Sequence, residues 1–339
     1  TASNTVSLTV NKATPVITWS NPLIPLPYPS PLSSSQLNAS ASVPGTLTYS
    51  PTNGTVLNVG TNTVVVNFTP VDTNNYNSVT ITNTVVVGKA TPTITWTNPA
   101  AIAYGTALSA TQLNATSSVA GTFVYNPTNG SVLNAGTNTL TAVFTASNTT
   151  NYISPVTNTV SLVVNKASPV LTWTPSPATS LTYPTALSST QLNATSSVAG
   201  TFSYNPSSGT VMNAGTNTLV ATFTPSNTTN YTSSGTITNT VTVAKGSQNI
   251  IFGSLPIKYV GDAAFNLTAT ASSGLTVTYT SSNTNVATVL GSLVTIIGEG
   301  NTTITANQAG DSNWNAAVSM PQTLTVQSAL NRGLVAYYP

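Results

Sequence analysis

The sequence predicts an all-β chain of small antiparallel β-sandwiches in tandem, arranged as an elongated rod. Three observations predict it. A stretch of 32 residues occurs three times, as Gly45 to Tyr76, Gly121 to Tyr152 and Gly200 to Tyr231. Within each copy, short runs of alternating apolar and polar residues (GTFVY, NTVVVNF, TITNTVVV) are separated by turn signals such as PTNG, NAGTN and SNTTN. Helical 3.6-residue periodicity is missing throughout. About seven short strands fit each period, which suits a small sandwich with Greek-key connections.

Taken in order, residues 4–15 (NTVSLTVNKATP) reappear at 158–169 as NTVSLVVNKASP. There they close one repeat and open the next. Residues 1–11 therefore read as the last strand of a preceding domain of the same kind, or as a donated strand. The marker Lys-Ala-Thr/Ser-Pro begins at Lys12, Lys89 and Lys166, with a variant at Lys245, giving periods of 77, 77 and 79 residues. Such periods fit whole domains rather than solenoid units. The repeats are 12–88, 89–165 and 166–244. In their opening strands Ile17 and Trp19, Ile94 and Trp96, and Leu171 and Trp173 sit two apart, so each pair shares one face, expected to be the core. A divergent fourth unit spans 245–327. Phe252 stands where those Trp residues stand, and Asn313-Trp314 matches Asn75-Tyr76, Asn151-Tyr152 and Asn230-Tyr231. Linkers are nearly absent, and Pro15, Pro92 and Pro169 stiffen the junctions. Four domains joined this tightly should extend about 150 Å at ~3.3 Å per strand residue.

The three repeats resemble bacterial immunoglobulin-like repeats of large secreted and surface, adhesin-like proteins. The fourth unit is similar to another group of these domains through YVGDAAFNLTATASSGLTVTYTSSNTNVATV (259–289) and TITANQAGDSNWNAA (303–317). NRGLVAYYP (331–339) resembles the opening strand of a laminin-G-like, concanavalin-type domain, so 328–339 is expected to begin one. The resemblance implies an immunoglobulin-like fold, a spacer or stalk role, and a downstream recognition domain.

Composition narrows the chemistry. The 339 residues include no His and no Cys, so there is no imidazole base, no thiolate and no disulfide. Charged residues make up 3%, against about 25% in an ordinary soluble domain. The net charge of +2 gives no reason to expect nucleic acid or an anionic membrane as partner. No apolar run approaches the ~20 residues of a membrane helix. No leader opens the chain, so either export information has been removed or this is an internal piece of something longer.

The carboxylates are Asp72, Asp262, Glu299 and Asp311, and the second and third repeats contain none. Paired-carboxylate catalysis is thus excluded there, and the junctions between repeats lack the carboxylates that Ca²⁺ needs. Asp72 reads as having Ser147 and Ser226 as counterparts. A Lys–Asn cross-link helped by a buried acid has only Lys258 with Asp262 or Glu299 to draw on. No catalytic, cofactor-binding or metal site and no cofactor is expected. The Trp residues read as core packing rather than a sugar platform. Tyr76, Tyr152 and Tyr231 read as plugs for the end of each sandwich. Eleven Asn-X-Ser/Thr sequons, Asn38 to Asn301, permit but do not require glycosylation.

These features lead to an expected extracellular structural protein, secreted or at a cell surface. It is a stalk or fibre segment that spaces a recognition domain or polymerises into filaments. Its partners are neighbouring immunoglobulin-like domains or identical subunits end to end, with glycans reached through a downstream domain. The alternative is a carbohydrate-binding adhesin module.

Overall fold

The computed structural model describes residues 1–233 and 235–331. The chain divides into two compact units, Thr1–Ala167 and Ser168–Pro339.

The first unit holds two β-sandwiches of one design. In the first repeat, Gly60–Pro70 and Val79–Gly88 form a long antiparallel hairpin. Val64, Val66 and Phe68 alternate inward with at most 1% exposure, facing Val85 and Val87 of the other arm. A period of two with β-branched and aromatic residues on the buried face makes this stretch a strand. Gly45–Ser50 extends the sheet on one side, and Leu26–Pro27 runs parallel to Val79–Gly88 on the other. Ile17–Thr18 and Ser40–Ala41 pair as the opposite layer. The four-stranded sheet is the C–F–G sheet of the immunoglobulin arrangement, with the second half of the opening strand laid along its edge. The second repeat reproduces it with Gly121–Asn126, Gly136–Ala146, Val156–Asn165 and Ile102–Ala103.

In the second unit, the third repeat sets Ala178–Thr182, Gly235–Ala244, Gly215–Pro225 and Gly200–Asn205 in the same order. The fourth domain keeps that sheet with Lys258–Tyr259, Met320–Gln327, Gly300–Asn307 and Thr278–Ser281. It adds a three-stranded sheet, Phe265–Asn266, Leu293–Ile296 and Ala287–Leu290.

Strand number differs from expectation. Among the described residues each of the three repeats has six strands, not seven, while the fourth domain has nine. Residues 51–59 carry Pro51, Asn53 and Gly54 and offer no alternating run long enough to pair. They fold as a turn, pinned by the Gly54 N–H on the Leu32 carbonyl (2.9 Å) and by a single bridge between Pro31 and Val56. The expected laminin-G-like segment lies outside the described residues, apart from the short 3-10 turn Ala329–Asn331.

The opening-strand pairs do face the core. Trp96 and Trp173 are buried, and Trp19 packs against the cluster around Val64 and Leu32. Each indole is held by a turn with the pattern Ser-x-x-Gln. The Trp19, Trp96 and Trp173 Nε1 groups donate to the carbonyls of Gln36, Gln112 and Gln191 at 2.8, 3.1 and 2.8 Å. The Gln side chains in turn accept from the backbone N–H and the hydroxyl of Ser33, Ser109 and Ser188. These polar groups are buried and satisfied, which fixes the tilt of the indole and with it the spacing of the layers.

Trp173→Phe removes the donor and leaves the Gln191 carbonyl buried without it. It is expected to destabilise the third repeat by about 1–3 kcal/mol. Urea titration read by hydrogen exchange in Leu219–Phe223 measures this.

Candidate functional site: the joints between domains

The feature that recurs with functional geometry is the joint within each unit. In the second repeat, residues 147–152 fold into a tight turn. The Asn148 Oδ1 accepts from the Asn151 N–H (3.0 Å), and the Tyr152 N–H donates to the Asn148 carbonyl (3.2 Å). The turn is tied to its own domain's entering strand. The Ala90 N–H donates to the Asn151 carbonyl (3.1 Å), and the Ile153 N–H to the Ala90 carbonyl (2.8 Å). The Lys89 ammonium donates to the Thr149 carbonyl at 2.7 Å. So braced, the turn presents Asn151 and Tyr152 to the first repeat.

The receiving surface is the turn Asn58-Val59-Gly60 and the ring of Tyr28. Gly60 has φ 123°, a conformation that favours glycine, and it opens the long strand directly after the turn. The Val59 N–H donates to the Asn151 Oδ1 (2.9 Å), and the Asn151 Nδ2 donates to the Asn58 Oδ1 (3.0 Å). Asn151 is only 3% exposed. The Tyr28 and Tyr152 rings meet edge to face, centroids 5.3 Å apart at 88°. Each neutral bond is worth about 0.5–1.5 kcal/mol net, and the ring pair adds a similar amount. A shifted joint would strand a buried amide, so the arrangement also specifies one orientation.

The second unit repeats this joint between the third repeat and the divergent domain. The Asn313 Oδ1 accepts from the Ala214 N–H (2.9 Å), and its Nδ2 donates to the Asn213 Oδ1 (3.2 Å). Trp314 meets Tyr183 at 5.2 Å and 87°. The Lys245 ammonium donates to the Asp311 carbonyl at 2.6 Å. One exchange keeps the fit. The larger indole replaces the phenol, and buried Gly246 replaces the Ala90 of the first joint. A Cβ on Gly246 would lie 2.7 Å from the Trp314 Cζ3 and 2.5 Å from the Tyr183 carbonyl oxygen.

Several sequence readings change here. Tyr152 does not plug the end of its own sandwich, because the turn aims its ring at the preceding domain. Asp72 is the counterpart of Asn148 and Asn227, not of Ser147 and Ser226. All three sit four residues before the Tyr, and their carbonyls accept the N–H of Tyr76, Tyr152 and Tyr231. The Asp72 carboxylate accepts from the Asn75 side chain (2.7 Å) and from the N–H groups of Asn74 and Asn75. The Asn75 bonds, with Lys12 nearby, hold it below the ordinary aspartate range. The junction lysines, seen in the sequence only as markers, brace the docking turn. Asn151 and Asn313 carry contacts to the preceding domain that no local sequence pattern marks. Their signal was the Asn-aromatic pair surviving into the fourth domain, where little else does.

The Lys258 ammonium sits 4.5 Å from the centre of the Phe265 ring, while the Asp262 Oδ2 accepts from the Tyr259 N–H at 2.9 Å. Glu299 is exposed. No group of three or more acidic, His or Cys residues is placed to hold a metal among the described residues. No helix among them is long and apolar enough to cross a membrane. A recess of about 470 Å³ in the first repeat is lined by Ser33, Ser34, Leu37, Tyr49, Thr52 and Asn53. A smaller one in the third repeat uses Ser189, Leu192, Tyr204, Ser207 and Ser208. Burial raises the Tyr204 hydroxyl above the ordinary tyrosine range, partly offset by its bond to the Ala194 backbone.

No family model and no curated protein sequence matches the chain. Among solved structures, Drosophila N-cadherin EC1-4 is similar at 11% identity and TM-score 0.28, over 95% of this chain and 93% of that one. Sidekick-1 immunoglobulin domains 1-5 are similar at 10% identity and TM-score 0.26, over 94% and 78%. Domains 1-6 of the surface layer protein SbsC are similar at 18% identity and TM-score 0.24, over 89% and 53%. At these scores the neighbours decide nothing about what this chain does.

Two outcomes are expected. Gly246→Ala drives its methyl group against the Tyr183 carbonyl and the Trp314 indole and destabilises the second unit by about 1–3 kcal/mol, and adding Trp314→Tyr relieves the ring contact but not the carbonyl one, so the double variant recovers only part of the loss; thermal unfolding of both variants checks this. For Asp72 the folded pKa lies below the unfolded one. Its stabilisation is present above the unfolded value and is lost as pH falls through the folded one. Asp72→Asn should abolish that acid-side loss, read as hydrogen exchange of residues 73–77 against pH.

Proposed function

We propose that this chain is an extracellular structural stalk or fibre segment of a bacterial surface or secreted protein. Its task is to space a recognition domain or to polymerise. The observation that carries this reading is the joint. The same asparagine clamp and aromatic edge contact close it in both units, and the last strand of one domain passes directly into the next. A tandem chain made for hinge motion has no use for a buried amide that accepts one orientation. Without His or Cys, and with four carboxylates in 339 residues, the chain has little to offer an enzyme. A nearly uncharged surface of hydroxyls and amides suits a fibre whose packing varies little with salt or pH.

Negative-stain electron microscopy at several concentrations tests it. Single elongated particles of about 150 Å are expected for a spacer, and filaments with that axial repeat for a polymerising subunit. Collapsed or freely jointed particles would contradict both.

A second reading is carbohydrate binding at the Tyr49 and Tyr204 recesses, favoured by a tyrosine and a leucine inside a rim of hydroxyl and amide groups. Glycan-array binding lost on Asn53→Ala with Ser34→Ala would support it, and a blank array would count against it.

A further inference from the structure

We propose that the free edge strand of each of the three repeats is an interaction surface for a second copy of this chain, which pairs with it edge to edge and antiparallel. Two observations carry it.

The first is an edge left unguarded. Gly45–Ser50, Gly121–Asn126 and Gly200–Asn205 each stand last in the order of their four-stranded sheet. Each pairs on its inner side with the long strand over six consecutive residues without a bulge. Natural sheets blunt such an edge with lysine, proline, a bulge or a very short strand. The opposite edges of these sheets show those devices. Leu26–Pro27 and Ile102–Ala103 are two residues long, and Ala178–Thr182 has a register shift between Ala178 and Leu181. The six-residue edges carry none of them. The Val71, Ser147 and Ser226 N–H groups donate to the Pro44, Ala120 and Ala199 carbonyls at 3.0, 2.9 and 2.9 Å. Every second residue from there faces the long strand. Gly45, Leu47 and Tyr49 therefore turn their N–H and C=O groups to the open side, as do Gly121, Phe123 and Tyr125, and Gly200, Phe202 and Tyr204. Among the described residues no hydrogen bond reaches these outward groups. The recesses against Tyr49 and Tyr204 lie at the same strands, so the edge is not covered there.

The second is that the edge matches itself. About a two-fold axis at Leu47, that residue stands opposite Leu47 of the second copy, and Gly45 stands opposite its Tyr49. Three donors from each copy then close six backbone bonds. A Cβ on Gly45, Gly121 or Gly200 would overlap the ring of Phe68, Phe144 or Phe223, so the place opposite the incoming tyrosine carries no side chain, and a ring laid over an edge glycine favours that register. On the outer face Thr46 meets Thr48, Thr122 meets Val124, and Thr201 meets Ser203, all suited to cross-strand pairing. Charge favours the same partner. Residues 33–55, 109–131 and 188–210, which hold the three edges and their flanking turns, contain no charged side chain. A charged peptide finds nothing to match there, and a copy meets no repulsion. The contact is edge to edge rather than end to end, and it does not depend on the chain serving as a stalk.

The test compares 1–339 with its Thr48→Lys, Val124→Lys, Ser203→Lys variant, in which three exposed outer-face positions gain the guard that the edges lack. Sedimentation velocity and hydrogen exchange by mass spectrometry are read over a concentration series. The unchanged chain should rise in mass to at least that of a dimer, while exchange in 45–50, 121–126 and 200–205 slows at least about 10-fold. The variant should keep the same thermal unfolding and stay a monomer. A monomer at every concentration overturns the proposal. Association without slowed exchange in these strands, or equal association by the variant, places the contact elsewhere and overturns it too. Slowing of these strands by a synthetic alternating Val-Thr peptide, with none on raising the concentration, gives the edge to a foreign strand and overturns the committed partner.

Discussion

Asn151 ties the first repeat to the second within the first unit. A primary amide offers two donors and an acceptor oxygen, and once buried it tolerates few arrangements. Here the oxygen takes the Val59 N–H, the nitrogen reaches the Asn58 side chain, and the adjacent Tyr152 ring closes on Tyr28. Everything that positions this residue comes from elsewhere in its own domain. Asn148 closes the turn, Lys89 pins its middle, and Ala90 fixes its backbone. The joint is therefore an extension of each sandwich rather than a linker between them. In this first joint the specificity comes from hydrogen-bond geometry, since nothing in it is charged except the bracing Lys89.

That economy of charge runs through the molecule. Four of the six basic residues, Lys12, Lys89, Lys166 and Lys245, recur at the start of each domain. The sandwich surfaces are left to Thr, Ser and Asn. Such surfaces have little long-range repulsion between copies and little response to salt. They also leave long strands such as Gly60–Pro70 to be protected by pairing on both sides rather than by edge lysines. The second joint shows how the contact survives sequence drift. Gly246 and Trp314 change together, so that the larger ring occupies the space a methyl group would need.

The fold was legible because strand periodicity and turn chemistry are local. The alternation in NTVVVNF, the Trp two residues after an aliphatic, and the Asn-x-Gly turns each announce themselves within ten residues. The count of about seven strands was one too many because residues 51–59, opened by the turn signal PTNG, hold only a single bridge, Pro31 to Val56. The joint was less legible. In a chain this rich in Asn and Thr, one asparagine that carries a contact looks like its neighbours, and the contact spans some ninety positions, Asn58 to Asn151. Tyr152 resembles residues that plug their own domain, and only the turn set by Asn148 reveals that it faces Tyr28 of the preceding domain. Asp72 aligns with Asn148 and Asn227 only when the register is set by the tyrosine four residues on, and the adjacent Ser147 and Ser226 obscure that in the sequence.

A double-mutant cycle across the first joint tests the central claim most directly. Asn58→Ala, Asn151→Ala and the double variant of the whole chain would be compared by urea unfolding, read by hydrogen exchange at Val64–Phe68. If the two asparagines act as one contact, the single substitutions are non-additive, with a coupling of about 0.5–1.5 kcal/mol. Strict additivity would mean the two side chains do not bond across the joint, and the domains would have to be held by the Val59–Asn151 bond and the aromatic pair.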